Sequence, residues 1–109
     1  MKKIVFVFLI LLLVGCNNKE VSELEKILSK NNYIIVDVRT KEEYDGGHVK
    51  GSINIPYDVI ENSNLDKTKT ILVYCKSGAR SKKAYDTLVS LDYDVYNLGS
   101  YSDITLEKE

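Results

Sequence analysis

Two Cys, one His, one Pro and six Gly are all that the 109 residues hold of the types that build specialised scaffolds. Two Cys cannot staple a disulfide framework, and together with one His they fall short of the roughly four ligands of structural zinc. So little Pro and Gly, with no low-complexity tract and no repeat of fixed period, excludes collagenous, linker-like and solenoid chains. An excess of charge of one sign is missing too. Fifteen Lys plus Arg face 16 Asp plus Glu, for a net charge of -1 and an isoelectric point near 5.9, whereas a nucleic-acid binder carries a basic footprint. The remaining composition, 44% hydrophobic and 28% charged, suits one small globular domain, and the length leaves no room for two.

The chain opens with Met1-Lys2-Lys3, an apolar run from Ile4 to Val14, and Gly15-Cys16. At about 1.5 Å per helical residue this run is well short of the roughly 20 residues that cross a bilayer, so it reads as a signal peptide. Its end, Leu13-Val14-Gly15-Cys16, resembles the lipobox of bacterial lipoproteins. That resemblance implies cleavage before Cys16, acylation of its sulfur and new amino terminus, and an exported protein held on the membrane by lipid alone. The competing reading is an ordinary signal peptide or anchor with an incidental Cys. Losing Lys2 and Lys3 with residues 1–15 moves the net charge from -1 to -3. Acylation of Cys16 would leave Cys75 as the one free thiol, either buried and inert or chemically useful.

Residues 16–21 then form a short tether and 22–109 the folded domain. Ser22 to Glu25 reads as a capping box opening a helix with Leu24, Ile27 and Leu28 on one face, ending near Asn31. Tyr33 to Val38 is a continuous β-branched run, as in a strand covered on both faces. Thr40 to Glu43 is a second capping box, stopped by Gly46-Gly47. Ile53 to Pro56 predicts a short strand, Tyr57 to Asn62 a helical turn, and Thr70 to Tyr74 a second buried strand. Ser81 to Leu91 predicts an amphipathic helix with Ala84, Leu88 and Leu91 inward, and Asp94 to Leu98 a last strand. Strands alternating with helices predict an α/β domain whose mostly parallel central sheet carries helices on both faces.

The chemistry gathers in Cys75-Lys76-Ser77-Gly78-Ala79-Arg80-Ser81, between the buried strand and the helix. In an open α/β sheet ligands bind there, outside the carboxyl ends of the strands. A helix N-terminus and nearby cations lower a thiol from about 8.5 to between about 3.5 and 7.5. Gly78 and Ala79 keep the loop free of bulk, so its N–H groups can turn inward as a nest for an anion. Arg80 adds a fixed positive fork. Lys76, Lys82 and Lys83 add cations that steer an anion or merely solvate the helix start.

This loop resembles the active-site loop of rhodanese-like sulfurtransferases, and the likeness continues along nearly all of Tyr33 to Tyr101. Asp37-Val38-Arg39 is similar to the acid-x-Arg that follows the first core strand of that family. Glu43-Tyr44 with Gly47 to Pro56 resembles its glutamate-tyrosine and Gly-His-Ile-x-Gly-Ala-x-Asn-Ile-Pro stretch, and Tyr96 to Gly99 its closing segment. Val49 replaces the usual Ile and Ser52 the usual Ala, Ser100 stands where a second Gly is common, and Ile104 lies near the usual Trp. The resemblance implies a monomer without cofactor or metal. Cys75 would take a sulfane sulfur from a small anion such as thiosulfate, hold it as a persulfide, and pass it to cyanide or a thiol, while Arg80 and the amides stabilise the anionic sulfur. Lys76, Ser77, Gly78, Ala79 and Ser81 would line the substrate loop. Asp37 and Arg39 either support it or form ion pairs with Glu42, Glu43 or another helix charge, the latter being the preferred expectation. His48 is expected to be a hydrogen-bonded structural residue.

Two other classes stay open. A Cys-based phosphatase also uses a Cys-to-Arg loop, but with five intervening residues where Lys76 to Ala79 are four. A non-catalytic rhodanese-like module, binding or carrying sulfur, is the second, although Cys75 and Arg80 are both present. A thiol-disulfide oxidoreductase is disfavoured by the lack of a Cys-x-x-Cys pair.

Overall fold

A computed structural model describes residues 22–109; the leader, Cys16 and the tether lie outside the described residues. Helix α1, Ser22–Lys30, ends at Asn31, whose φ of 54° breaks the helical run and whose N–H caps the Leu28 carbonyl. Leu24, Ile27 and Leu28 are its less exposed residues, at the spacing the sequence predicts. The helix that the Ser22 to Glu25 pattern predicts is present from Ser22.

From Asn32 onward the chain builds a sheet of β1 (Tyr33–Asp37), β2 (Ile53–Asn54), β3 (Thr70–Cys75) and β4 (Asp94–Ser100). Its order is β2-β1-β3-β4 and every pairing is parallel. Parallel pairing requires crossovers. They run through α2 (Lys41–Asp45), a 3-10 turn at Ile60–Asn62 and α3 (Ala79–Ser90). The β-branched runs occupy the centre: Val36, Ile71, Leu72, Val73 and Tyr74 are fully buried, so consecutive residues of β3 are hidden on both faces, as an internal parallel strand demands.

One face carries Val36, Val38, Ile71, Val73 and Cys75, packed with Ala84 and Leu88 of α3 and with Ile60. Side chains alternate along a strand, so Asp37 and Tyr74 point to the other face. There the Tyr74 hydroxyl accepts from the Val49 N–H at 3.0 Å and lies 3.3 Å from the Ser52 hydroxyl. Burial pushes the Tyr74 phenol up to about 12. Close to this point the chain's last residues pair with the turn after α2. His48 and Glu109 exchange N–H···O bonds of 2.9 and 2.8 Å, and the Lys50 N–H reaches the Glu107 carbonyl at 2.8 Å.

Three local expectations are corrected. Helix α3 starts two residues before Ser81, because Gly78 at φ 101° supplies the left-handed turn that lets Ala79 and Arg80 enter the helix. Leu91 is not inward but 37% exposed, at the C-cap. Asp92, at φ 71°, closes that end as a Schellman motif, its N–H on the Val89 carbonyl and that of Tyr93 on the Leu88 carbonyl. The turn after β2 is helical only over Ile60–Asn62, not from Tyr57.

Candidate active site

Cys75 is the last residue of β3 and is fully buried. The chain turns over it through Lys76 and Ser77, reverses at Gly78 and enters α3, which brings the first amides of the helix back onto the sulfur. The N–H groups of Gly78 and Ser81 donate to Cys75 Sγ at 3.0 and 3.2 Å. Burial pushes the thiol up, but the Ser81 hydroxyl and the amides of Ser81, Gly78 and Arg80 outweigh it, so the thiol lies below its ordinary value. Ser81, itself fully buried, has its hydroxyl 3.1 Å from the Gly78 carbonyl. The loop is thus a small anion nest made of backbone.

Arg80 turns its guanidinium to α2. Its two terminal nitrogens donate to the two carboxylate oxygens of Glu43 at 2.8 and 3.0 Å, a bidentate pair with each side chain a little over a quarter exposed. The Arg80 hydrogen bond is the main cause that holds the Glu43 carboxyl down at about 2, and Glu43 in turn raises Arg80. Glu43 also completes the capping box, its carboxylate accepting from the Thr40 N–H at 3.0 Å and its own N–H donating to the Thr40 hydroxyl at 3.2 Å. The sequence pattern finds the box and the Glu43-Tyr44 match but not the bond to Arg80. The capping signal is local, whereas the bond joins residues 37 positions apart.

Asp37 and Arg39 do not pair with Glu42 or Glu43; they pair with each other. The Arg39 Nε lies 2.9 and 3.0 Å from the Asp37 oxygens and Nη2 is 2.6 Å from Oδ2, with both residues almost completely buried. Nη2 also donates to the Gly47 carbonyl at 2.6 Å. The guanidinium lies over the Tyr101 ring at 4.5 Å and 5.7 Å from the Tyr74 ring centre, and the hydrogen bond it donates to Asp37 is the main cause that raises Arg39. Asp37 and Arg39, two residues apart, lie on the same side of the extended chain, so the guanidinium meets the carboxylate locally, while Glu43 is bonded to Arg80. Asn54 ties this turn down, its amide donating to the carbonyls of Asp37 and Arg39 at 2.9 and 3.0 Å; no sequence motif pointed to that role. His48 stacks on Tyr44 at 3.8 Å, with Nδ1 2.8 Å from the Tyr44 carbonyl and Nε2 3.4 Å from the Glu109 carboxylate.

A cleft of about 600 Å³ opens beside the loop, with Lys76, Ser77, Glu42, Gly47 and Tyr101 in its wall. Cys75 sits behind Lys76 and Ser77 rather than in the wall. Arg39 reaches the same cleft, whereas Lys82 is bonded to Asp86 on the outer face of α3 and Lys83 lies 5.8 Å above the Tyr57 ring.

Residues 20–107 match the profile of the rhodanese-like domain. The thiosulfate sulfurtransferase PspE of Escherichia coli is 38% identical over 78 residues, covering 67% of this chain and 75% of the relative. The thiosulfate sulfurtransferase GlpE of Coxiella burnetii is 29% identical, covering 73% and 79%. A solved rhodanese with anions from E. coli superposes with a TM-score of 0.66 at 35% identity over 71% of this chain and 96% of that one. The rhodanese_3-like domain of the Anabaena Alr3790 protein does so at 0.63 and 26% identity, over 71% and 98%. The sheet order, the sulfur nest after β3 and these matches agree, and the chain belongs to the rhodanese-like domain family of sulfurtransferases.

Proposed function

We propose that the protein moves a sulfane sulfur from a donor such as thiosulfate, through a persulfide on Cys75, to a thiophilic acceptor such as cyanide or a thiol. The Cys75 thiolate attacks the outer sulfur of thiosulfate; the new S–S bond forms as the donor's S–S bond breaks, and sulfite leaves with the electron pair. The acceptor then attacks the outer persulfide sulfur, and the electron pair returns to Cys75. The observation that carries this reading is the pair of N–H groups at 3.0 and 3.2 Å on a buried sulfur whose pKa is lowered. Preorganised backbone donors of this kind stabilise anionic sulfur before and after transfer, and a thiolate needs no general base. The named activity of PspE and GlpE supports the same donor. Four residues stand between Cys75 and Arg80 where a Cys-based phosphatase loop has five, which weighs against phosphatase chemistry.

The full chain, purified in detergent and treated with thiosulfate, should gain one sulfur on the Cys75 peptide by mass spectrometry and lose it to cyanide. No gain in mass overturns the reading.

The lipobox-like Leu13-Val14-Gly15-Cys16 supports a second part of this proposal, that the protein is exported and lipid-anchored through Cys16. Three acyl chains at about 0.8 kcal/mol per buried methylene would make attachment nearly irreversible. Fractionation of Cys16→Ser should find the precursor uncut or the product released; a variant processed and membrane-bound like the parent would refute the anchor.

A further inference from the structure

We propose that Ser100 is a positioning residue for the sulfur-carrying loop, turning the Lys76–Ser77 peptide so that the Ser77 N–H faces the outer sulfur of the Cys75 persulfide. The inference rests on the reading of Cys75 as sulfur carrier. Ser100 ends β4 and is the register partner of Cys75. It holds that place through a β-bulge. Val73 pairs with Asn97 but Tyr74 with Gly99, so one residue is skipped and Ser100 moves opposite Cys75, where Gly99 would otherwise stand. Gly99 takes φ 86° there, and its N–H donates to Asn97 Oδ1 at 2.9 Å, which fastens the bulge.

In this position the Ser100 hydroxyl donates to the Lys76 carbonyl at 2.7 Å, with the Ser102 hydroxyl 3.2 Å from it. No peptide of the described residues is cis. In a trans peptide C=O and N–H point opposite ways, so a Lys76 carbonyl drawn to the Ser100 hydroxyl of β4 turns the Ser77 N–H away from β4. Among the described residues nothing accepts from that N–H. The Gly78 and Ser81 amides already serve Sγ; the Ser77 amide is a loop donor not yet used, open to the atom one bond further out.

Full-length parent, Ser100→Ala, Ser100→Gly and Ser100→Thr are compared in thiosulfate-to-cyanide transfer, in the rate of sulfur gain at Cys75, and in the pH midpoint of thiol alkylation in a Cys16→Ser background. Losing one neutral hydrogen bond predicts a drop of about threefold to tenfold in kcat/KM for Ala and Gly, near-parental transfer for Thr, and an unmoved midpoint, because the donors to Sγ remain. Parental transfer in Ser100→Ala, equal losses in Thr and Ala, or a midpoint that moves with activity would overturn the assignment. If the parent itself never gains sulfur, the reading of Cys75 falls and Ser100 with it; if parent and Ser100→Ala gain it equally fast, Ser100 alone falls.

Discussion

Glu43 performs two tasks with one carboxylate, closing the cap on Thr40 and gripping both terminal nitrogens of Arg80. Removing Arg80 therefore does more than delete a cation that the Cys75 charge favours, for it leaves the Glu43 carboxylate without its partner. Arg80→Ala should lose sulfur transfer, and adding Glu43→Gln should recover at least about threefold, a coupling in the range of 0.5–3 kcal/mol for contacting residues. A double variant no better than Arg80→Ala would mean that the carboxylate does not act on the site. The pair also stabilises the fold, in a known direction with pH. Because the folded Glu43 carboxyl lies near 2, below its ordinary 4.5, its contribution is complete above about 4.5 and fades as pH falls toward 2. Urea unfolding should show Glu43→Gln less stable than the parent by about 1–2 kcal/mol at pH 7, with the gap closing by pH 2–3. Cys75 titrates on the same side of its reference. Alkylation rate against pH in the Cys16→Ser chain, which has no other thiol, should show a midpoint below the free-thiol value of about 8.5; a midpoint at or above it would remove the activation argument.

The start of α3 is the element that turns a buried thiol into a site. A helix beginning at Ser81 would aim its first amides past the sulfur, whereas entry through a left-handed Gly78 brings the Gly78 and Ser81 N–H groups onto it. A methyl group at Gly78 would meet nothing within 4 Å. Any cost of Gly78→Ala therefore comes from backbone conformation, about 1–2 kcal/mol for an L-residue at φ 101°. Chemical unfolding should read that loss, and the alkylation midpoint of Cys75 should rise with it as the loop relaxes toward a right-handed turn. Stability equal to the parent would show that position 78 tolerates the strain without moving the amides. The exposed Lys82–Asp86 pair further along α3 contributes far less, in line with other surface i,i+4 pairs.

Across the whole molecule, the ends of the strands are fastened by one buried network: Asp37 to Arg39, Arg39 to the Gly47 carbonyl and the Tyr101 ring, Asn54 to the carbonyls of Asp37 and Arg39. It joins the ends of β1, β2 and β4 around the cleft. Asp37→Ala strands a guanidinium that is almost fully buried, and such changes cost about 3–5 kcal/mol, a large part of the stability of so small a domain. Urea denaturation of Asp37→Ala should show that loss; a change under about 1 kcal/mol would mean that water reaches Arg39 and that the network is not what fastens the strands.

What the sequence by itself determined is whatever contiguous residues encode: the β-branched runs of β1 and β3, the Thr40 capping box, and the thiol placed between a buried strand and a helix. Each rests on backbone preference or on burial periodicity within a dozen residues, and the order of strands and helices made the parallel sheet follow. The leader and Cys16 are legible only at that level. Partner choice was decided by the tertiary structure. The crossovers carry Glu43 to Arg80, 37 positions away, and Ser100 faces Lys76 because a bulge in β4 shifts its register by one residue. Charges and hydroxyls bond to whichever partner the packed backbone brings within about 3 Å, and that distance is a property of the assembled sheet rather than of any single stretch of chain.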